Sequence, residues 1–259
     1  MKQKSTSVKT LLLVGIYLSL AFTARSAYIM NGSASATGNN CFIITPAANN
    51  ERGSVWNDQY ISLEFDFNMT FQVYLGSNDL DGGDGIAFVL QSVGTNALGG
   101  VGSGIGYSGI SPSLAVEYDT YQNNGEPAFD HIAVQLNGVL DNSGVQADTY
   151  NANIEDGQWH NTQIVWMAAS HTLVVYFDGI ARLGYGSNIV NNIFGGNPLV
   201  YWGFTGATAA YNNLQQFCVT SVSLQGPNVI PLSPWVIVLV TVLILSVTWI
   251  RYRRSQLSC

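Results

Sequence analysis

Between residues 28 and 229 the apolar positions come in short runs that alternate with polar ones. The runs are "SLEFDFNMTFQVYL", "GIAFVLQ", "SLAVEYDTY", "HIAVQLNG", "NTQIVWMA", "TLVVYFDG", "LVYWGFTG" and "QQFCVTSVSL". β-Branched and aromatic residues dominate them, and Gly, Asn and Asp cluster between them. Alternation of this kind marks strands with one buried face, and helical periodicity is almost absent. Strands at this spacing predict an all-β fold, an antiparallel two-sheet sandwich or jelly roll over 28–224.

The two ends follow a different pattern. Lys2, Lys4 and Lys9 precede the apolar run "TLLLVGIYLSLAFTA", and the small residues of "ARSA" follow it. That order predicts a secretory signal peptide over 1–27, cleaved near Ala24–Ala27. At the other end a Pro-containing linker, 225–234, leads into Trp235–Ile250, a run without a charge. A bilayer span needs about 20 apolar residues, so Ile230–Leu232 must help. Tryptophans bracket the run, and Arg251, Arg253 and Arg254 open a basic tail over 251–259. This predicts a single-pass transmembrane helix over 235–250 with a cytoplasmic tail. The order "IPLSPW", apolar helix, "RYRR" resembles a bacterial C-terminal sorting signal of the Ile-Pro-Thr-Leu type, without its Thr. The resemblance implies an exported envelope or surface protein; a eukaryotic single-pass protein has the same layout.

Charge narrows the partners. All sixteen acidic residues fall between the two ends, against Arg52 and Arg182 and no lysine. So acidic a domain disfavours nucleic acid and anionic membrane surfaces, and suits a cation or a neutral ligand. Cys41 and Cys218 lie near the first and last predicted strands, and an exported chain can oxidise them to a disulfide. Two buried free thiols are the alternative.

The candidate chemistry lies in "LAVEYDTYQNNGEPAFDHIAVQLNG". Glu117, Asp119, Tyr121 and Asn123 fall at every second position, so on one strand they share a face. Glu126, Asp130 and His131 follow on the return. Two carboxylates on one strand face repel and desolvate each other unless a cation lies between them. With two arginines in the whole region, salt bridges are a poor alternative. Hard cations take carboxylate, amide and carbonyl oxygens, and manganese also accepts imidazole.

These residues resemble the metal-binding segment of the legume-type (L-type), concanavalin A-like lectins, and the likeness runs from "CFIITPA" at 41 to "SVSL" at 221. The resemblance implies a manganese-like ion on Glu117, Asp119 and His131. It implies calcium on Asp119, the Tyr121 carbonyl, Asn123 and a second acid. Glu126 fits that acid's spacing and Asp130 its residue type. The loop "DGGDGIAFVL" resembles the lectin loop whose Asp, here Asp84, receives two sugar hydroxyls in charge-assisted bonds, and the resemblance implies a cis peptide at Gly83–Asp84. By the same resemblance, the glycine-rich "GGVGSGIGYSGISPS" would give a backbone donor near Gly104, and "GFTGATAAYNNLQQF" a sugar rim containing Tyr211 and Asn212. Tyr121 would also offer its ring to the sugar's apolar face.

An enzyme of the same fold is the rival reading. The related sandwich glucanases carry three acids on one strand, whereas Glu117-Tyr-Asp119 continues with Thr120, Tyr121 and Gln122. Glu64-Phe-Asp66 also lacks a third acid, and no nucleophile motif appears. Trp159 and His160 read as fold residues. The expected function is a calcium-dependent carbohydrate-binding protein, not an enzyme. It would be membrane- or surface-held, with a glycan or glycoprotein partner, and a homodimer is the assembly left open. A structural adhesion sandwich without sugar binding is the alternative.

Overall fold

In the computed structural model of the chain, the described residues are 27–127, 130–140, 146–149 and 152–226, with Ser246 and Trp249 beyond them. The expected signal peptide and membrane helix therefore lie almost wholly outside the described residues. Among the described residues, no helix is long and apolar enough to cross a membrane. The chain divides into two compact units, Met1–Ser223 and Leu224–Cys259; in the second, Ser246 and Trp249 are helical.

The first unit is built of antiparallel strands. Its N-terminal third holds β1 (Tyr28–Gly32), β2 (Ser35–Gly38), β3 (Cys41–Thr45), β4 (Arg52–Asn57) and the two-residue β5 (Ile61–Ser62). Next come β6 (Phe67–Tyr74), β7 (Gly85–Gln91), β8 (Ser113–Asp119), β9 (His131–Leu136) and β10 (Gln146–Thr149). The last five are β11 (Trp159–Met167), β12 (Thr172–Phe177), β13 (Ile180–Gly186), β14 (Leu199–Ala207) and β15 (Gln215–Leu224). One sheet runs β1-β4-β14-β7-β8-β9-β10, with β5 on β14; the other runs β13-β12-β11-β6-β15-β3-β2. This is the expected all-β sandwich.

The alternation explains the packing. On β6, Phe67, Met69, Phe71 and Val73 turn inward while Asn68 and Gln72 face solvent. On β11, Ile164 and Trp166 do the same. Phe71, Phe88, Trp202, Phe204 and Phe217 interlock at ring separations of 4.4 to 6.4 Å, filling the space between sheets. The Tyr118 hydroxyl shares a hydrogen bond with the Thr162 hydroxyl, linking β8 in one sheet to β11 in the other. By contrast β7 and β8 are buried at every position. Their outer face is covered too: Ile105, Tyr107 and Ile110, from the segment between β7 and β8, pack on Trp56, Ala87, Val89 and Ala115.

Two strand limits differ from expectation. The run beginning at Ser62 becomes a continuous strand only at Phe67. The Leu63 carbonyl accepts from the buried Trp166 indole at 2.9 Å, and Asp66 accepts from the Ala168 N–H at 2.8 Å. Those side-chain bonds replace ladder pairing. Strand β8 stops at Asp119, whose Oδ1 accepts the Tyr121 N–H at 2.9 Å in a local turn. Tyr121 and Asn123 therefore lie in the loop after the strand rather than along its face. Cys41 and Cys218 form the expected disulfide, with S–S 2.06 Å, between the paired strands β3 and β15.

Candidate functional site

Strand β8 places Glu117 and Asp119 on its outer face because Val116 and Tyr118 occupy the core. Pairing sets His131 of β9 directly opposite Asp119, and Gly85 of β7 on its other side. Glu117, Asp119 and His131 are all nearly inaccessible. His131 Nε2 lies 3.9 Å from Glu117 Oε1. Two groups that sequence patterning did not single out hold Glu117: Tyr107 Oη donates to it at 2.5 Å and Gln135 Nε2 at 2.8 Å.

Beyond the strand, the chain folds back so that the Asn123 N–H donates to Glu126 Oε2 at 2.5 Å. Asn123 Nδ2 donates to the Tyr121 carbonyl at 3.2 Å. Glu126 thus joins Asn123, Asp119 and Glu117. Asp130 turns instead toward the segment before β11, where its Oδ2 accepts the Ile154 N–H at 2.7 Å.

Asp84 approaches the same group from the loop before β7. The Gly83–Asp84 peptide is cis. The Asp84 N–H donates to the Ala207 carbonyl at 3.1 Å, and the Asp84 carbonyl accepts the Thr120 N–H at 3.0 Å. Gln215 Nε2 supports the Gly83 carbonyl at 3.1 Å. So clamped, Asp84 is 4% exposed, and its Oδ2 has no hydrogen-bond partner. The Tyr121 and Tyr211 rings stack beside it, 5.3 Å between centroids. Gly104 directs its N–H to the Val101 carbonyl. The glycine facing Asp84 is Gly102: a Cβ there would lie 3.8 Å from Asp84 Oδ1. Asn212 bonds Asn49 through its side chain and the Asp81 carbonyl through its N–H.

The electrostatics are one-sided. Burial, then the Glu126 charge, pushes Asp84 up to about 6 despite the Ala209 N–H. Burial pushes Glu117 up to about 7 against its Tyr107 and Gln135 hydrogen bonds. Burial and the Glu117 and Glu126 charges hold Asp119 well above the usual carboxylate range. No arginine figures among the charges acting on these three groups. Among the described residues, no three His, Cys, Asp or Glu side chains are so placed that they could hold a metal ion together. The donor set fits a hard cation nonetheless: converging carboxylates, an imidazole, an amide and a carbonyl, with no internal positive charge to balance them. Asp84 Oδ2, buried and bare, is a hydrogen-bond acceptor awaiting a donor.

His160, expected to be a fold residue, has the contacts of one. Its Nδ1 lies 2.8 Å from Asp178 Oδ2 and its Nε2 3.3 Å from Asp156 Oδ1. Its ring stacks on Phe177; Asp178 thereby pins β11 to the β12–β13 turn, while Asp156 is a local contact from the loop before β11.

Residues 22–221 match the L-type lectin family described as the legume lectin beta-barrel domain. A lectin of Onobrychis viciifolia is 34% identical over 90 residues, covering 32% of this chain and 36% of the lectin. The pesticidal crystal protein Cry22Aa of Bacillus thuringiensis is 30% identical over 116 residues, 43% of this chain. That match spans only 16% of Cry22Aa, so the chain aligns with a minor part of either relative. Among solved structures, the lectin from Bauhinia forficata in complex with GalNAc superposes with a TM-score of 0.66. It is 20% identical, and the match covers 80% of this chain and 96% of that one, which speaks for the fold.

Proposed function

The chain belongs to the legume lectin β-barrel domain family, and from that premise we propose that it is a calcium-dependent carbohydrate-binding lectin, not an enzyme. The observation that carries the proposal is Asp84: a buried carboxylate, clamped through its own backbone, with a bare Oδ2 beside an unbalanced cluster of acids. Two lectins among the proteins it resembles point the same way, one of them bound to GalNAc.

Asp119, the Tyr121 carbonyl, Asn123 and Glu126 would hold calcium, and Glu117, Asp119 and His131 a manganese-class ion. Such cations supply the positive charge that keeps these buried acids ionised. The chain's own residues do the rest. Asp119 ends β8 and turns Tyr121 and Asn123 toward the loop. Thr120 and Ala207 hold Asp84 by its backbone, leaving its carboxylate to accept two sugar hydroxyls in charge-assisted bonds. Asn123 can add a further amide contact. The stacked Tyr121 and Tyr211 rings form a rigid apolar wall for the ring C–H face. Gly102 leaves room for a hydroxyl beside Asp84. Export by 1–27 and anchoring by 235–250 complete the proposal; both rest on the patterning of the sequence.

The test is a glycan array probed with the full-length chain, first with calcium and manganese and then with EDTA. Glycan binding that EDTA abolishes supports the reading. A folded, metal-loaded chain that binds no glycan would leave a structural adhesion sandwich.

A further inference from the structure

The loop that ends in Asp84, between β6 and β7, is fastened at two places. Thr120, Ala207 and Gln215 hold its Asp84 end. A second grip, nearer its middle, comes from Asn213, a 4% exposed residue just before β15. Asn213 Oδ1 accepts the Asn78 N–H at 3.3 Å, and its Nδ2 donates to the Asn78 carbonyl at 3.1 Å. The same Nδ2 donates to Glu155 Oε2 at 2.6 Å. One amide side chain thus satisfies both backbone groups of a loop residue and is itself held by a buried carboxyl.

The loop is shaped around that side chain. A Cβ at Gly82 would lie 2.2 Å from Asn213 Nδ2, and one at Gly76 2.1 Å from Asn213 Cγ, so two glycines lie directly against the amide. Gly76 also has a φ of +106°, where other residues are strained. Between them, Asn78 Oδ1 accepts the Asp81 N–H at 3.3 Å, and the Asp81 carbonyl accepts the Asn212 N–H at 3.3 Å. Asp81 and Gly82 immediately precede the Gly83–Asp84 peptide. The place of Asn213 is therefore passed to Asp84 through a short, packed stretch of chain. Burial, then the Asp130 charge, pushes Glu155 up to about 8, so what Asn213 meets at neutral pH is an oxygen acceptor rather than a charge.

We propose that Asn213, backed by Glu155, is the positioning residue that sets the sugar-receiving carboxylate of Asp84. Its hydrogen bonds go to Asn78 and Glu155, not to Asp84 or the acids of β8, so it acts through the backbone of the loop. An amide suits the task because it presents a donor and an acceptor side by side, matching the carbonyl and N–H of one residue. A carboxylate of the same shape would turn an oxygen toward the Asn78 carbonyl and Glu155 Oε2. The inference rests on the lectin reading, since Asp84 is what Asn213 positions.

The experiment separates glycan binding from calcium binding. Full-length wild type and the Asn213→Asp, Asn213→Ala, Glu155→Ala and Glu155→Gln variants are titrated over one glycan array in calcium. Calorimetry with calcium alone and a urea melt accompany each. Both Asn213 variants are expected to weaken apparent glycan affinity roughly 10- to 100-fold, the range for removing a group that orients a ligating side chain. Their calcium affinity is expected to stay at the wild-type value. Glu155→Ala weakens glycan binding in the same way, and Glu155→Gln, which keeps an oxygen acceptor, restores it. A folded Asn213 variant with wild-type glycan affinity overturns the proposal, as does calcium binding lost together with the glycan. Failure of both Asn213 variants to fold would make it a fold residue and overturn the proposal too. A Glu155→Gln chain no better than Glu155→Ala removes Glu155 from the account. A wild type that binds no glycan sinks the lectin reading itself, and the proposal with it.

Discussion

Raising the pH of the metal-free chain from 5 to 8 should weaken its fold. Asp84 titrates at about 6 in the folded chain against 3.8 ordinarily, and Glu117 at about 7 against 4.5. A carboxyl with a raised folded pKa grips its proton more tightly when folded. Its contribution to stability is therefore present at low pH and is lost as pH rises through the folded value. Between pH 5 and 8 this linkage amounts to about 1 kcal/mol for Asp84 and about 2–3 kcal/mol for Glu117, or about 4 kcal/mol together. Asp119 acts in the same direction. Against a usual total of about 5–15 kcal/mol, the loss is large. Calcium should reverse it, because the cation binds the ionised cluster and stabilises the folded chain by mass action. Urea melts followed by tryptophan fluorescence, with and without EDTA at both pH values, measure all four states. Metal-free stability that is level or higher at pH 8, or no calcium-dependent gain at pH 8, would refute the reasoning.

Replacing both Cys41 and Cys218 by Ser opens a loop with a separation of 177 residues. The entropic ceiling for that loop is about 5 kcal/mol, so the urea midpoint should fall by several tenths of its value without a change in glycan preference. Trp166→Phe leaves the buried Leu63 carbonyl without its donor and should destabilise by about 1–3 kcal/mol in the same melts. Gly85→Ala forces a Cβ to 2.2 Å from the Tyr118 carbonyl at a φ of +145°. It should destabilise by about 2 kcal/mol or more and weaken glycan binding, since it displaces Asp84.

Much of this was legible in the alternation of apolar and polar positions. That period found β7, β8, β9, β11 and β12, because each has a face that must be buried. It overran at Ser62 and at Tyr121, where Asp66 and Asp119 capture backbone N–H groups that periodicity does not see. The spacing of Glu117, Asp119, Asn123 and His131 exposed the acid cluster, since strand pairing brings such residues together. Asp130 was ambiguous in sequence because its neighbours at 154 and 155 arrive through tertiary structure alone. Glu155 was invisible for the same reason: its hydrogen-bond partner Asn213 lies beyond four further strands. Tyr107 and Gln135, which hold Glu117, carry no motif of their own. Asp178 meets His160 only because the β12–β13 turn folds back onto β11, whereas Asp156 is its neighbour four residues earlier in the chain.

The most direct test of the central claim is one substitution, Asp84→Asn, compared with wild type on the same glycan array in calcium. The variant keeps the shape of the side chain and removes the charge that would receive two hydroxyls. The account predicts that glycan signal disappears while the calcium-dependent gain in stability persists, because the cation-holding residues are untouched. Undiminished glycan binding by Asp84→Asn would contradict it and place the sugar elsewhere on the sandwich.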